Sequence, residues 1–228
     1  MPRPRLKVLH DDPSFLAFVK PGGLPTVPDD SGDASLLDLA EKQAGQPLHV
    51  VHRLDRPVSG LVVLAKDSGS AAALSKALRD HRMSKIYWGV TEGIPRRSMG
   101  TLVQHLRKDA ARNKVTSVSE GAGGAKRAET RWKVLFTLGD RALLELSPIT
   151  GRSHQLRVAA AHLGCPFVGD VKYGASRRLA DLTLGLHARE LSLRHPQTGA
   201  TLRFEAPLPD TNLWNMGRRW IEQLAGGG

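Results

Sequence analysis

One aspartate stands between two arginines in His52-Arg53-Leu54-Asp55-Arg56-Pro57-Val58-Ser59-Gly60, directly ahead of a bare apolar run, Leu61-Val62-Val63-Leu64-Ala65. Pro57 fixes φ and offers no donor, and its neighbours are polar, so the pattern predicts a tight loop feeding a buried strand. A carboxylate held there beside guanidinium groups can stay ionised and aimed, as a nucleophile or a stabiliser of positive charge must. The same composition also suits an ordinary turn or helix cap whose charge is balanced by its neighbours.

A second group of polar residues is Gly151-Arg152-Ser153-His154-Gln155-Leu156-Arg157-Val158. Ser153 is expected as the N-cap of a short helix, with Leu156, Ala160 and Leu163 on its apolar face, Gly164 at C′ and Pro166 preventing continuation. Arg152, just ahead of that cap, suits a phosphate contact, since a helix N-terminus favours anions. His154 and His162 have no cysteine pair beside them and read as structural rather than zinc-binding. Cys165, the only cysteine, excludes an intrachain disulfide and reads as a small buried filler.

The first string resembles the His-Arg-Leu-Asp-x-x-Thr-Ser-Gly signature of the RluA-type pseudouridine synthases, with Val58 where threonine is usual. Val58 is nearly isosteric, so only a hydroxyl hydrogen bond is lost. The second string resembles the family's Gly-Arg-Thr/Ser-His-Gln-Ile/Leu-Arg block. It is followed in family order by Leu163-Gly164, Gly169-Asp170-x-x-Tyr173-Gly174 and Leu186-His187-Ala188. Tyr87 within Lys85-Ile86-Tyr87 matches a further position, as does the early loop Lys20-Pro21-Gly22-Gly23-Leu24. Ala159 departs from a common histidine. The resemblance spans about residues 15–207.

That resemblance implies an isomerase that breaks the N1–C1′ bond of a uridine in ribosomal or transfer RNA and rejoins the base through C5, with no metal and no organic cofactor. It implies Asp55 as the catalytic carboxylate, by nucleophilic attack or by support of a glycal-type intermediate, and an Arg157–Asp55 ion pair. Tyr87 is implied to stack on the uracil and to serve as a base. Arg53 is implied to fill the gap left by the extruded nucleotide, whose flipping costs a few kcal/mol. His52, Arg56 and Arg152 are further RNA-binding candidates, His52 chiefly as a support of its loop.

The remaining chain must position these groups. Strands are predicted over 15–20, 83–90, 128–136, 141–147, 186–193 and 201–206, and helices over 33–44, 68–81 and 212–224. Gly45 is read as the stop of the first helix, Asp67 and Ser68 as cap residues of the second, and Gly139-Asp140 as a hairpin turn. Residues 91–128 carry little pattern, and Gly121-Ala122-Gly123-Gly124 reads as a hairpin tip rather than a phosphate loop. This is an α+β chain: a mixed, mainly antiparallel sheet core with flanking short helices, as in the pseudouridine synthase catalytic fold. A single catalytic domain over residues 1–228, without an appended RNA-binding domain, is expected.

The totals agree with a nucleic-acid partner. Lys and Arg number 33 against 22 Asp and Glu, a net charge of +11. Basic residues fall in several stretches read as loops: Arg96-Arg97, Arg107-Lys108, Arg112-Asn113-Lys114, Lys126-Arg127 and Arg177-Arg178. No apolar run reaches the ~20 residues of a membrane helix, and no secretory leader is evident in Met1 to Lys7. The expectation is a cytoplasmic monomer that acts on RNA and not DNA. Two rivals are an inactive basic RNA-binding protein and a metal-dependent nuclease built on Asp29, Asp30 and Asp33.

Overall fold

The computed structural model describes residues 5–226, so most of the basic Met1-to-Lys7 stretch and the last two glycines lie outside the described residues. In chain order the first elements are β1 (Lys7–Asp11), β2 (Phe15–Lys20), α1 (Leu36–Ala44), β3 (His49–Val50), β4 (Ser59–Ala65) and α2 (Ser68–Arg79). Next come β5 (Ser84–Glu92), β6 (Met99–Asp109), β7 (Lys114–Val118), β8 (Lys126–Leu138), β9 (Arg141–Pro148) and α3 (Gln155–His162). The last are β10 (Leu186–Arg194), β11 (Thr201–Glu205) and α4 (Asn215–Gly226). The fold is α+β, and every register given between named strands is antiparallel.

The chain divides into two compact units: Met1–Lys85 with Ala188–Pro207, and Ile86–His187 with Leu208–Gly228. In the first, β2 lies between β1 and β4, with Phe15 opposite Ala65 and Lys20 opposite Gly60. All seven residues of β4 are buried, as the unbroken apolar run requires of a central strand. Gly60 has φ +114°, and a Cβ there would meet the Ala188 backbone at 2.3 Å, so only glycine lets the two backbones pass. The helix predicted from Asp33 begins at Leu36 instead. Ser35 and Asp38 form a reciprocal capping box that fixes the start, and the helix closes on Gly45 as expected. Asp67 alone caps α2.

In the second unit β9 lies between β5 and β8, and β6 pairs with both β8 and β7. The Gly139-Asp140 hairpin forms as predicted. Two expectations fail here. Residues 99–118 form a long hairpin, β6 and β7, where only short pieces were foreseen. Burial alternates along β6, but Gly100 and Gln104 hold inward positions while Met99 and Val103 face out, so apolar and polar residues do not alternate in the sequence. Five of the basic residues read as loop residues (Arg107, Lys108, Lys114, Lys126 and Arg127) therefore stand on strands. Nor is the stretch around Gly121 a hairpin tip. β7 and β8 are both antiparallel to β6, hence parallel to each other, and residues 119–125 cross from one side of β6 to the other.

The core of this unit gathers Trp88, Val90, Leu143, Val168, Trp214 and Met216. A smaller cluster of Leu106, Val115, Ala128 and Val158, with Tyr173 against it, seats α3 on the β6–β7 hairpin. The C-terminal segment starts as a single 3₁₀ turn, Asn212–Trp214, before α4 proper. Among the described residues no helix is long and apolar enough to cross a membrane.

Candidate active site

Asp55 sits on the loop between β3 and β4, half-buried, and its main chain is fixed on both sides. Before it, the Thr26 hydroxyl donates to Leu54 O at 2.8 Å and accepts from Leu54 N–H at 3.1 Å. After it, Gly23 N–H donates to Arg56 O at 2.9 Å, and Arg56 Nε donates to Gly23 O at 2.9 Å. Val58 N–H closes the turn on Asp55 O at 3.0 Å. The Lys20–Pro28 loop, barred from helix and central strand by its prolines and glycines, thus serves as the splint of the Asp55 loop.

Lys20 completes that splint. It is 0% exposed, and its ammonium donates to Pro21 O (3.0 Å), Leu24 O (2.7 Å) and Arg56 O (3.1 Å). Burial pushes it down to about 7; the Asp55 charge opposes that shift and the Arg56 charge adds to it. A cation so enclosed is costly unless its donors are met, and three carbonyls meet them. Sequence reading saw the Lys-Pro loop but gave Lys20 no role. The available signal was a lysine ending an otherwise apolar strand.

The other candidates of this unit fall into distinct settings. Arg53 is exposed. His52 is buried, 7% exposed, and accepts Val63 N–H at Nε2 (3.2 Å). Burial, with the Lys85 charge adding, pushes His52 down to about 3, so its ring is neutral and braces the loop against β4. A ring so enclosed is poorly placed as an RNA contact. Arg56 is exposed but engaged by Asp33 and by Asp29 at 3.6 Å. These ion pairs hold both carboxylates below the usual range, chiefly through Arg56 at Asp33 and through Ser31 at Asp29. The two contacts brace Arg56 against the 29–33 turn, and they account for two of the three acids of the nuclease alternative. Val58 is buried, where an aliphatic side chain is at home.

The second unit holds Tyr87, Arg152 and Arg157. Tyr87 lies on β5, 8% exposed, opposite Leu146 of β9. Arg157 lies in α3, whose residues Gln155 to Ala160 are all buried, so the helix is covered on more than the one face expected. Its N-cap is not Ser153, which is exposed, but His154, in the left-handed region at φ +51° and without a side-chain cap bond. The Gln155 side chain anchors the segment instead. Its Oε1 accepts from Arg152 N–H (3.0 Å) and Thr150 Oγ1 (2.8 Å), while Nε2 donates to Glu129 O and Thr130 Oγ1. Two of those partners, Glu129 and Thr130, sit in β8, too distant along the chain for a cap motif to reveal. Arg152 is exposed, its Nε on Arg127 O.

Arg157 forms a bidentate pair with Asp170, Nε to Oδ2 at 2.7 Å and Nη2 to Oδ1 at 2.6 Å. The two side chains are 7% and 1% exposed. This pair was not foreseen; the two residues are 13 apart and on different elements.

The family model described as RNA pseudouridylate synthase matches residues 14–162. The chain belongs to that family. It is therefore an isomerase that converts uridine to pseudouridine in RNA. A ribosomal large subunit pseudouridine synthase C of Rickettsia prowazekii is 34% identical over 208 residues, covering 89% of this chain and 68% of that protein. An uncharacterised RNA pseudouridine synthase of Zymomonas mobilis is 36% identical over 214 residues, covering 92% of this chain and 96% of the other. Among solved structures, human RNA pseudouridylate synthase domain containing 4 has TM-score 0.76 at 30% identity, covering 95% of this chain and 93% of its own. Domain containing 1 has TM-score 0.77 at 23% identity and supports the fold alone.

Proposed function

We propose that this pseudouridine synthase modifies a specific uridine of ribosomal or transfer RNA, with Asp55 as its catalytic carboxylate. The observation that carries the reading is the splinting of Asp55: both neighbouring peptides are tied to the Lys20–Pro28 loop, so the carboxylate is presented from a fixed backbone. Such preorganisation matters when a group must meet one carbon of one base.

The other roles follow the family motifs. Tyr87 stacks on the uracil and takes the C5 proton, while Arg157 is the cation assigned to keep Asp55 ionised. The target base is extruded before reaction, at a cost of a few kcal/mol of unstacking. Arg53, exposed on the catalytic loop, fills the vacated space, and Arg152 meets phosphate. The exposed basic residues of β6, β7 and β8 add a sequence-independent attraction to the backbone of a folded RNA. The whole acts as one catalytic domain, in the cytoplasm, as a monomer.

The test is release of tritium from RNA labelled at uridine C5, since rejoining through C5 expels that hydrogen. Asp55→Ala should abolish release while leaving RNA binding intact; release at the parental rate would defeat the reading. Mapping pseudouridines in total RNA with and without the gene names the site, and a change confined to other RNA classes would reject the ribosomal and transfer RNA assignment.

A further inference from the structure

The Gly169-Asp170-Val171-Lys172-Tyr173-Gly174 stretch has no role in the reaction so far, yet it grips Arg157 from two directions. Asp170 engages the Nε–Nη2 edge of the guanidinium with both carboxylate oxygens. Tyr173 lies beneath the guanidinium plane, 4.9 Å from ring centroid to Cζ. An edge fixed by two hydrogen bonds and a plane fixed by a ring leave the guanidinium little rotational freedom.

The grip is itself held. Residues 171–173 are a single 3₁₀ turn, closed by Tyr173 N–H on Asp170 O at 2.9 Å, with Ala175 N–H on the same oxygen at 3.1 Å. Gly169, at φ +88°, passes so near the chain that a Cβ would lie 2.8 Å from Thr183 O. The Tyr173 hydroxyl accepts Val115 N–H at 2.9 Å and bonds His154 Nδ1 at 2.7 Å, which ties the turn to the β6–β7 hairpin and to the strained residue that opens α3. A buried ion pair of this kind is weak evidence of stability for its own sake, because an apolar pair of the same volume does as well or better. Its cost is better explained by what it aims.

We infer that Asp170 is a positioning residue for the isomerisation: with Tyr173 it fixes the orientation of the Arg157 guanidinium, without touching substrate. The inference rests on the reading that Arg157 serves the reaction. Asp170→Glu is the informative variant. It keeps the charge that neutralises a buried guanidinium but moves the oxygens by one methylene. It should fold and bind RNA within about twofold of the parent, while kcat falls about 10- to 100-fold, the penalty for misplacing a reacting group by about 1 Å. In an Arg157→Lys background the same change should cost less than about twofold, because the fork it positions is gone.

Parental kcat in Asp170→Glu means that the carboxylate only balances charge, and overturns the inference; so do losses that multiply in the double variant. Should Asp170→Glu not fold, Tyr173→Leu, which keeps the apolar contact with Val115, carries the test. It should lower kcat at unchanged RNA affinity, and parental kcat overturns the inference. The supporting reading fails separately: Arg157→Lys turning over like the parent removes it, whereas a crippled Arg157→Lys beside a normal Asp170→Glu removes only the role of Asp170.

Discussion

The Asp55 loop is held through its backbone, whereas Arg157 is held through its own side chain. Around Asp55, ties from Thr26, Gly23 and Lys20 end on the peptide groups of Leu54 and Arg56. Around Arg157, the ties end on the guanidinium, from Asp170 and Tyr173. The contrast fits the two tasks proposed for them. A carboxylate that reacts must change its bonding during turnover, so it is aimed by the main chain. A cation that only supports charge can be clamped by its head group, and the clamp improves its aim. Substitutions near Asp55 should therefore disturb stability and aim together, and substitutions near Arg157 should disturb aim first.

Removing each charged group tests the ends of that contrast. Asp55→Ala should cut turnover about 10³-fold or more with the melting temperature nearly unchanged, since the loop is tied through the peptide groups of Leu54 and Arg56; tritium release and calorimetry read both. Arg157→Lys should lower kcat by about 100-fold, because an ammonium cannot reproduce the bidentate fork; a loss confined to KM would reverse the assignment. The splint should show the opposite signature. Lys20→Met leaves three carbonyls without their donor and should cost about 2–4 kcal/mol of stability, read by denaturant unfolding, together with part of the turnover.

The buried bases also leave signs in pH. Lys20 sits at about 7 in the folded chain against 10.5 normally. Between those values the unfolded chain binds more protons, so stability should rise as pH increases from about 7 towards 10.5, and Lys20→Met should lack that rise. His52 sits at about 3 against 6.5. Stability should accordingly fall as pH drops from 6.5 towards 3, and His52→Gln, whose amide oxygen can still accept Val63 N–H, should flatten that limb. The smallest effect expected is Thr26→Val, about 1–2 kcal/mol from two lost bonds to Leu54, with turnover falling less than for Lys20→Met.

Much of this arrangement is legible in one dimension. The unbroken apolar run of β4 announces a central strand, Gly45 and Gly139-Asp140 announce a helix end and a hairpin, and the strings around Asp55 and Arg157 announce the chemistry. These signals are local: each depends on neighbours a few residues away. What escaped notice was non-local or lacked contrast. The β6–β7 hairpin alternates poorly in residue type because Gly100 and Gln104 lie inward while Met99 and Val103 are exposed. The start of α3 is anchored by the Gln155 side chain to β8 and the loop after β9, and its N-cap is His154, so a serine in the expected place misled. Arg56 reads as a phosphate ligand until Asp29 and Asp33 fold back on it.

The sequence by itself determined the family and the order of most elements, because these reside in residue types and short spacings. Tertiary structure alone decided that Lys20 is enclosed by carbonyls, that His52 is neutral and inward, and that Arg157 is gripped by Asp170. Burial and charge pairing arise only when segments remote along the chain are brought within about 3 Å, and nothing in local spacing records which of several available carboxylates a buried guanidinium will meet.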